Sequence, residues 1–210
     1  MGEDRQDQGR SQGSGPGQFK QNCLMALEDG KHFFGESFGA TGTSTGELVF
    51  NTSLIGYQEI LTDPSYAGQI ITMTYPEIGN YGATDEDLES QSGKIFARGL
   101  VVRHQSRRFS SWRAGSSLPD FLKKQNVVAI SGVDTRAVTR HIRDKGAMRC
   151  ALSTEILDPQ KLAEVARQSA PMTGADFTDE VTIPAVLKVG SGKYRVAVMD
   201  FGIKKNILNQ

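Results

Sequence analysis

"GELVFNTSLIGYQEILTDPSYAGQIITMTYP", residues 46–76, contains most of what decides the fold. The run around 46–52 is rich in β-formers and reads as a strand. "GYQEILT", 56–62, carries one or two helical turns. Asp63-Pro64-Ser65 is a tight turn, in which Asp accepts local backbone hydrogen bonds and Pro presets φ. "GQIITMTYP", 68–76, is a second strand, stopped by Pro76. The stretch 56–69 is dense in turn-formers, carboxylates and tyrosines, which is more than a plain connector needs.

Working outward, Asp29-Gly30 separates two β-rich runs and predicts a hairpin. "EIGNYGATDEDLESQSG" is a polar loop, residues 97–103 read as a strand, and "HQSRRFSSWRAGS" is a basic link holding the single Trp. The pattern then changes. Ser117 with Asp120 three residues on predicts a capped short helix. "VVAI" is a continuous apolar run typical of a strand buried on both faces. Asp134 caps a helix that Gly146 stops, "MRCALST" is a strand, and Asp158-Pro159 opens a further helix.

The expected fold class is therefore mixed α/β (α+β), with a β-rich layered domain over 21–155 and three or so helices. Residues 156–192 read as a helix and linker. "YRVAVMDFG" followed by "IKKNILNQ" reads as the first strand and helix of another α/β domain over 193–210, cut short after that unit. Residues 1–20, polar and Gly-rich, read as a disordered leader.

Composition narrows the function classes. The 210 residues hold 24 basic and 24 acidic side chains, so net charge offers no footprint for nucleic acid or an anionic membrane. No apolar run approaches the roughly 18 residues of a membrane helix. The N-terminus has neither a secretory h-region nor an acid-poor transit pattern, so a cytoplasmic protein is expected. Cys23 and Cys150 form no CxxC and read as buried core thiols.

A search for chemistry is mostly negative. There is no G-x-S-x-G or G-x-C-x-G elbow, no Walker A motif and no G-x-G-x-x-G. His32, His104 and His141 lack metal-pair spacing. "DEDLE", 85–89, does not fit a calcium loop and reads as a solvated acidic loop. Asp-Phe-Gly at 200–202 stands without the other kinase motifs and is set aside. Arg136, Arg140 and Arg143 line one helix face, either as a solvated stripe or as a surface for an acidic partner. Asp63-Pro64-Ser65 also has two readings. It reverses the chain, or it holds the Ser65 hydroxyl at an element junction where it can reach outside the domain.

Several long strings occur together and in order: "LEDGKHFFGESFGA", "GELVFNTSLIGYQEILTDPSYAGQIITMTYPEIGNYG", "GLVVR", "VVAISGVDTRAVTRHIRDKGAM" and "VAVMDFGIKKNIL". Together they resemble the small subunit of glutamine-dependent carbamoyl-phosphate synthase, from about Leu27 to the end of the chain.

The resemblance implies a β-rich N-terminal domain followed by a class I glutamine amidotransferase domain. There glutamine is hydrolysed through a cysteine thioester assisted by His and Glu. Ammonia then passes to a large subunit, which makes carbamoyl phosphate from bicarbonate for arginine and pyrimidine biosynthesis. By the same resemblance Ser65 binds glutamine across the domain interface; Tyr57, Tyr66 and Tyr75 either pack at that contact or belong to the core.

The catalytic Cys, His and Glu would lie beyond Gln210, so the expected catalytic set in this chain is empty. No cofactor or metal is expected here; ATP and a divalent metal are expected on the large subunit. The alternative expectation is a non-catalytic module that docks on the large subunit. A fragment with no independent role, carrying an incomplete and aggregation-prone second unit, is a third.

Overall fold

The computed structural model describes residues 21–209. The leader predicted at 1–20 lies outside the described residues.

Seven strands build the main body. They are β1 (Cys23–Leu27), β2 (His32–Ser37), β3 (Thr43–Asn51), β4 (Gln69–Met73), β6 (Gly99–Val101), β8 (Val128–Ser131) and β9 (Met148–Ser153). They close into a barrel in the order β1-β2-β8-β6-β4-β3-β9. β3, β4, β6 and β8 run parallel to one another, and the remaining neighbours pair antiparallel. Two short strands, β5 (Glu77–Ile78) and β7 (His104–Gln105), form a separate parallel pair. The layered sheet expected from sequence is thus a closed barrel. Closure depends on β9 pairing with β1 on one side and β3 on the other, in registers that no local pattern reveals.

The period-two rule of a strand explains the core. Met25, Leu48, Ile70, Val101, Ile130 and Cys150 come from strands all round the barrel and meet in one cluster, which is the interior. Their strand neighbours Ile71, Leu100 and Ala129 point outward into a second cluster. Leu24, Ala26 and Ala151 face a third.

Helices cover these outer faces. α1 (Tyr57–Thr62) and α2 (Leu118–Lys124) bury Tyr57, Leu61, Leu118 and Leu122 in the second cluster. α4 (Pro159–Gln168) lays Leu162, Ala163 and Ala166 on β1 and β9. α3 (Thr135–Lys145) sends Val138 and Ile142 into the interior cluster and leaves Arg136, Arg140 and Arg143 exposed. α5 (Thr178–Val181) and α6 (Lys205–Asn209) are single turns.

Local signals were accurate where a side chain fixes a backbone end. Ser117, Asp134 and Asp158 each accept hydrogen bonds from the first-turn N–H groups of α2, α3 and α4. The hairpin at Asp29-Gly30 forms, with Leu27 N–H donating to the Lys31 carbonyl at 2.8 Å and Gly30 at φ 93°.

The strand expected in "YRVAVMDFG" does not form among the described residues. Val196 and Met199 are 83% and 80% exposed. A buried-strand pattern needs a neighbouring strand to take up its N–H and C=O groups, and none lies beside it among the described residues. A second α/β domain is accordingly not seen in this structure.

β2 and β8 approach so closely that Gly35 has no room for a side chain. A methyl group there would stand 2.2 Å from the Ser131 carbonyl oxygen. Gly35→Ala is expected to cost about 1–3 kcal/mol as overpacking against backbone. A denaturant midpoint equal to the wild type's would show that the contact yields freely.

Candidate functional site

The chain crosses from β3 to its parallel neighbour β4 through α1 and the turn 63–66, so the turn sits immediately before β4. The turn is fixed from several directions. Asp63 Oδ1 accepts the Ser65 N–H at 2.9 Å. The Asp63 carbonyl accepts the Tyr66 N–H at 3.0 Å, and the Pro64 carbonyl accepts the Ala67 N–H at 3.1 Å. Asn51 Nδ2 donates to the Tyr66 hydroxyl at 2.9 Å. Asp63 and Pro64 are buried, whereas Ser65 is exposed. A rigid, over-determined turn thus holds one exposed hydroxyl at its tip.

α1 is held just as firmly. Tyr57 and Tyr81 stack with centroids 4.1 Å apart. The Tyr81 hydroxyl accepts from the N–H groups of Gly56 and Tyr57, satisfying donors at the helix start. Tyr57 donates to the Gly82 carbonyl at 2.6 Å. Thr62 Oγ1 donates to the Gln58 carbonyl and accepts from the Glu89 N–H, both at 2.9 Å.

A later segment reaches the same turn. Lys204 Nζ stands 2.6 Å from Asp63 Oδ2, and this carboxylate partner raises the lysine's pKa. Gly202, at φ 97°, passes against Pro64. Asp200 organises the segment: its carboxylate accepts N–H bonds from Gly202, Ile203 and Ile183, all at 2.8 Å. Burial alone would raise the Asp200 pKa; the three N–H bonds outweigh it and hold the group below its usual value. Lys205 N–H donates to the Glu89 carbonyl at 2.7 Å. Asp-Phe-Gly at 200–202 is therefore a carboxylate-pinned turn that delivers Lys204 to Asp63.

The sequence-predicted residues separate as follows. Ser65 occupies the exposed tip. Tyr57 is core. Tyr66 and Tyr75 are half-buried against the second cluster. The arginines of α3 make no hydrogen bond or ion pair with the turn among the described residues. Lys204 and Asp200 were missed as partners of the turn. The only signal available was the polar string D-F-G-I-K, whose contact with Asp63 spans most of the chain.

The remaining candidates resolve as structure. Cys23 and Cys150 are fully buried, and burial pushes the Cys23 thiol up to about 12 and Cys150 higher still, so neither supplies a thiolate. No group of three or more His, Cys, Asp or Glu side chains suited to a metal occurs among the described residues. The acidic loop is instead held by Arg113, at 2.7 Å from Glu86 and 2.6 Å from Asp87. His141 bonds Asp29 at 2.7 Å.

Comparison with known proteins identifies the family. The family model for the carbamoyl-phosphate synthase small chain, CPSase domain, matches residues 25–152. The carbamoyl phosphate synthase small chain of Thermotoga maritima is 53% identical, over 89% of this chain and 47% of its own length. That of Aquifex aeolicus is 47% identical, over 91% of this chain and 55% of its own. The small chain of Akkermansia muciniphila is 49% identical over 90% of this chain and 53% of its own. The chain belongs to the carbamoyl-phosphate synthase small-chain family, and it spans about half the length of the curated relatives it matches. An aminopeptidase from Aneurinibacillus sp. strain AM-1 aligns at a TM-score of 0.37 and 16% identity, over 62% of this chain and 30% of that one, too slight a likeness to bear on function. No helix among the described residues is long and apolar enough to cross a membrane.

One carboxylate beside the site is strained. Glu59, on α1, has a buried Oε2 with no hydrogen-bond partner among the described residues. Burial first, then the nearby charges of Asp87 and Glu89, push its pKa up. A carboxyl raised in the fold holds its proton longer there than in the unfolded chain. Stability therefore falls as pH rises from the unfolded value, about 4.3, through the raised folded one. Glu59→Gln is expected to raise Tm at pH 7 and to lose that gain below about pH 4. An equal Tm difference at both pH values would remove Glu59 as the cause.

Proposed function

We propose that this chain is the N-terminal part of a small chain that hydrolyses glutamine, and that the turn 63–66 presents the Ser65 hydroxyl to glutamine held by an amidotransferase domain. Two features support the reading: the exposure of Ser65 at the tip of a turn fixed by Asp63, and the tether of that turn through Lys204 to residues 200–206. A hydroxyl held there can hydrogen-bond a polar group of the substrate without having to be ordered first. The role of Asp63 and Lys204 is to position the turn.

The hydrolysis itself belongs to a Cys–His–Glu set. No Gly-x-Cys-x-Gly elbow occurs in these 210 residues, so we assign none of that chemistry to them. Ammonia released from glutamine would pass to a large subunit, where ATP, a divalent metal and bicarbonate meet in a ligase reaction giving carbamoyl phosphate. The setting is cytoplasmic arginine and pyrimidine biosynthesis. The exposed arginines of α3 favour a companion role in docking on that large subunit.

The test is Ser65→Ala in the whole small chain paired with its large subunit. Loss of one hydrogen bond of about 1.4 kcal/mol corresponds to about a tenfold rise in the glutamine KM. Synthesis driven by added ammonia should be unchanged. Unaltered glutamine kinetics, or an equal loss with ammonia, would take Ser65 out of the site.

A further inference from the structure

The loop between β7 and α2, residues 106–117, holds the single Trp of the chain out in solvent. Trp112 is 94% exposed, and no large apolar side chain among the described residues is more so. Phe109, on the same loop, is 41% exposed. A lone exposed apolar side chain on a loose segment is ordinary. This loop is not loose.

It is tied down on both sides of the tryptophan. Before it, the Ser110 N–H donates to the Asn80 carbonyl at 3.0 Å. After it, the Gly115 N–H donates to the Ala83 carbonyl, and the Ala83 N–H to the Ser116 carbonyl, both at 2.9 Å. Arg113 grips Glu86 and Asp87. Gly82 fits only because it has no side chain: a methyl group there would stand 2.8 Å from the Ala114 methyl and 2.9 Å from the Phe109 ring. The platform under the loop is the segment 79–89, and the same segment seats the candidate site. Its Tyr81 stacks on Tyr57 of α1, and its Glu89 accepts the Lys205 N–H.

A tryptophan fixed in water, with no neighbour to cover it, is an anchor ordered in advance, so burying it in a partner costs little conformational freedom. Trp and Arg are the residue types most enriched among such anchors. Residues 104–119 contain Arg107, Arg108 and Arg113 and no acidic residue, and only Arg113 has its charge met by an ion pair. The matching surface is a protein pocket of apolar wall and acidic rim. Ammonia delivered from the glutamine site needs a receiving subunit docked on a part of this chain rigidly joined to that site, and the platform 79–89 supplies the joint. We infer that the 106–117 loop is an interface with the large subunit, with Trp112 as its central anchor and Arg107 and Arg108 at its edge. The inference rests on the reading that this chain acts with such a subunit.

The test is the Kd of the whole small chain for its large subunit. Trp112→Ala should raise it about thirtyfold or more, and Trp112→Phe should restore part of the loss. Reversing Arg107 and Arg108 together to Glu should slow association at low salt and lose that effect at high salt. Glutamine hydrolysis by the free small chain should be the same in Trp112→Ala as in the wild type. Ser65→Ala should leave the Kd unchanged. Thermal melts report folding; should Trp112→Ala not fold, the arginine reversal decides. A wild-type complex that Trp112→Ala forms equally well overturns this inference alone. No complex with the wild type removes the large-subunit reading and this inference with it. A small-chain dimer, or binding of a single-stranded oligonucleotide, that Trp112→Ala abolishes while the large subunit still binds gives the loop to that partner and also overturns it.

Discussion

β9 is the closing element. Among the described residues it is the only strand that pairs with both β1 and β3, the two strands that would otherwise be the edges of an open sheet. Open edges expose unpaired N–H and C=O groups and invite association. With the edges joined, each strand has one face inside and one outside, and alternation separates the side chains without further instruction. Ser153 marks the seam. Its backbone pairs with Leu24 on one side and Thr43 on the other, and its hydroxyl meets that of Thr43 at 2.7 Å. Both thiols end up inside because Cys23 and Cys150 hold inward positions on adjacent strands.

The mixture of strand directions then fixes where the turn goes. Antiparallel neighbours can be joined by a hairpin, as β1 and β2 are, but parallel neighbours need a crossover. The β3-to-β4 crossover consists of α1 and the turn at 63–66. Its outward path puts Tyr57 and Leu61 on the barrel wall and leaves the turn beside the start of β4. Residues after α4 come back over the same end. Met172 and Phe177 lie against Gly68, and Glu180 pairs with Lys94 and Arg98. That return path is what carries Asp200 and Lys204 to Asp63. The turn is therefore rigid for topological reasons as well as local ones.

What could be read from the sequence follows the range of the interactions. Asp134, Asp158 and Ser117 act within three residues, and each helix start was legible from them. Gly30 and Gly146 act at one backbone position and marked a turn and a helix end correctly. Barrel closure was not legible, because β1 and β9 pair across most of the chain and nothing in "CLMAL" or "MRCALS" names the other. β5 and β7 were missed because two-residue strands carry no period. The apolar run at 194–201 misled, since a continuous apolar pattern states a demand for partners and not their presence. At the site, Asp63-Pro64-Ser65 was visible as a turn from its own residues, and Ser65 stood out through the family strings around it. The pair that steadies the turn was invisible, because Lys204 looks like any surface lysine until the fold brings it to a buried carboxylate.

A formal charge of zero hides how unevenly the charge is used. Many ion pairs in this protein are tethers between segments. Arg149 binds Glu28, Arg113 gathers the acidic loop, Lys204 holds Asp63, and Glu180 holds Lys94 and Arg98. Each is partly exposed and modest in energy, so its worth lies in choosing which segments meet. Pairs spent in this way contribute little field at a distance. Among the charges left over are the α3 arginines, whose helix faces the core with Val138 and Ile142 and the solvent with Arg136, Arg140 and Arg143. A chain that is neutral in total thus presents a basic stripe at one place, and net charge could not have revealed it.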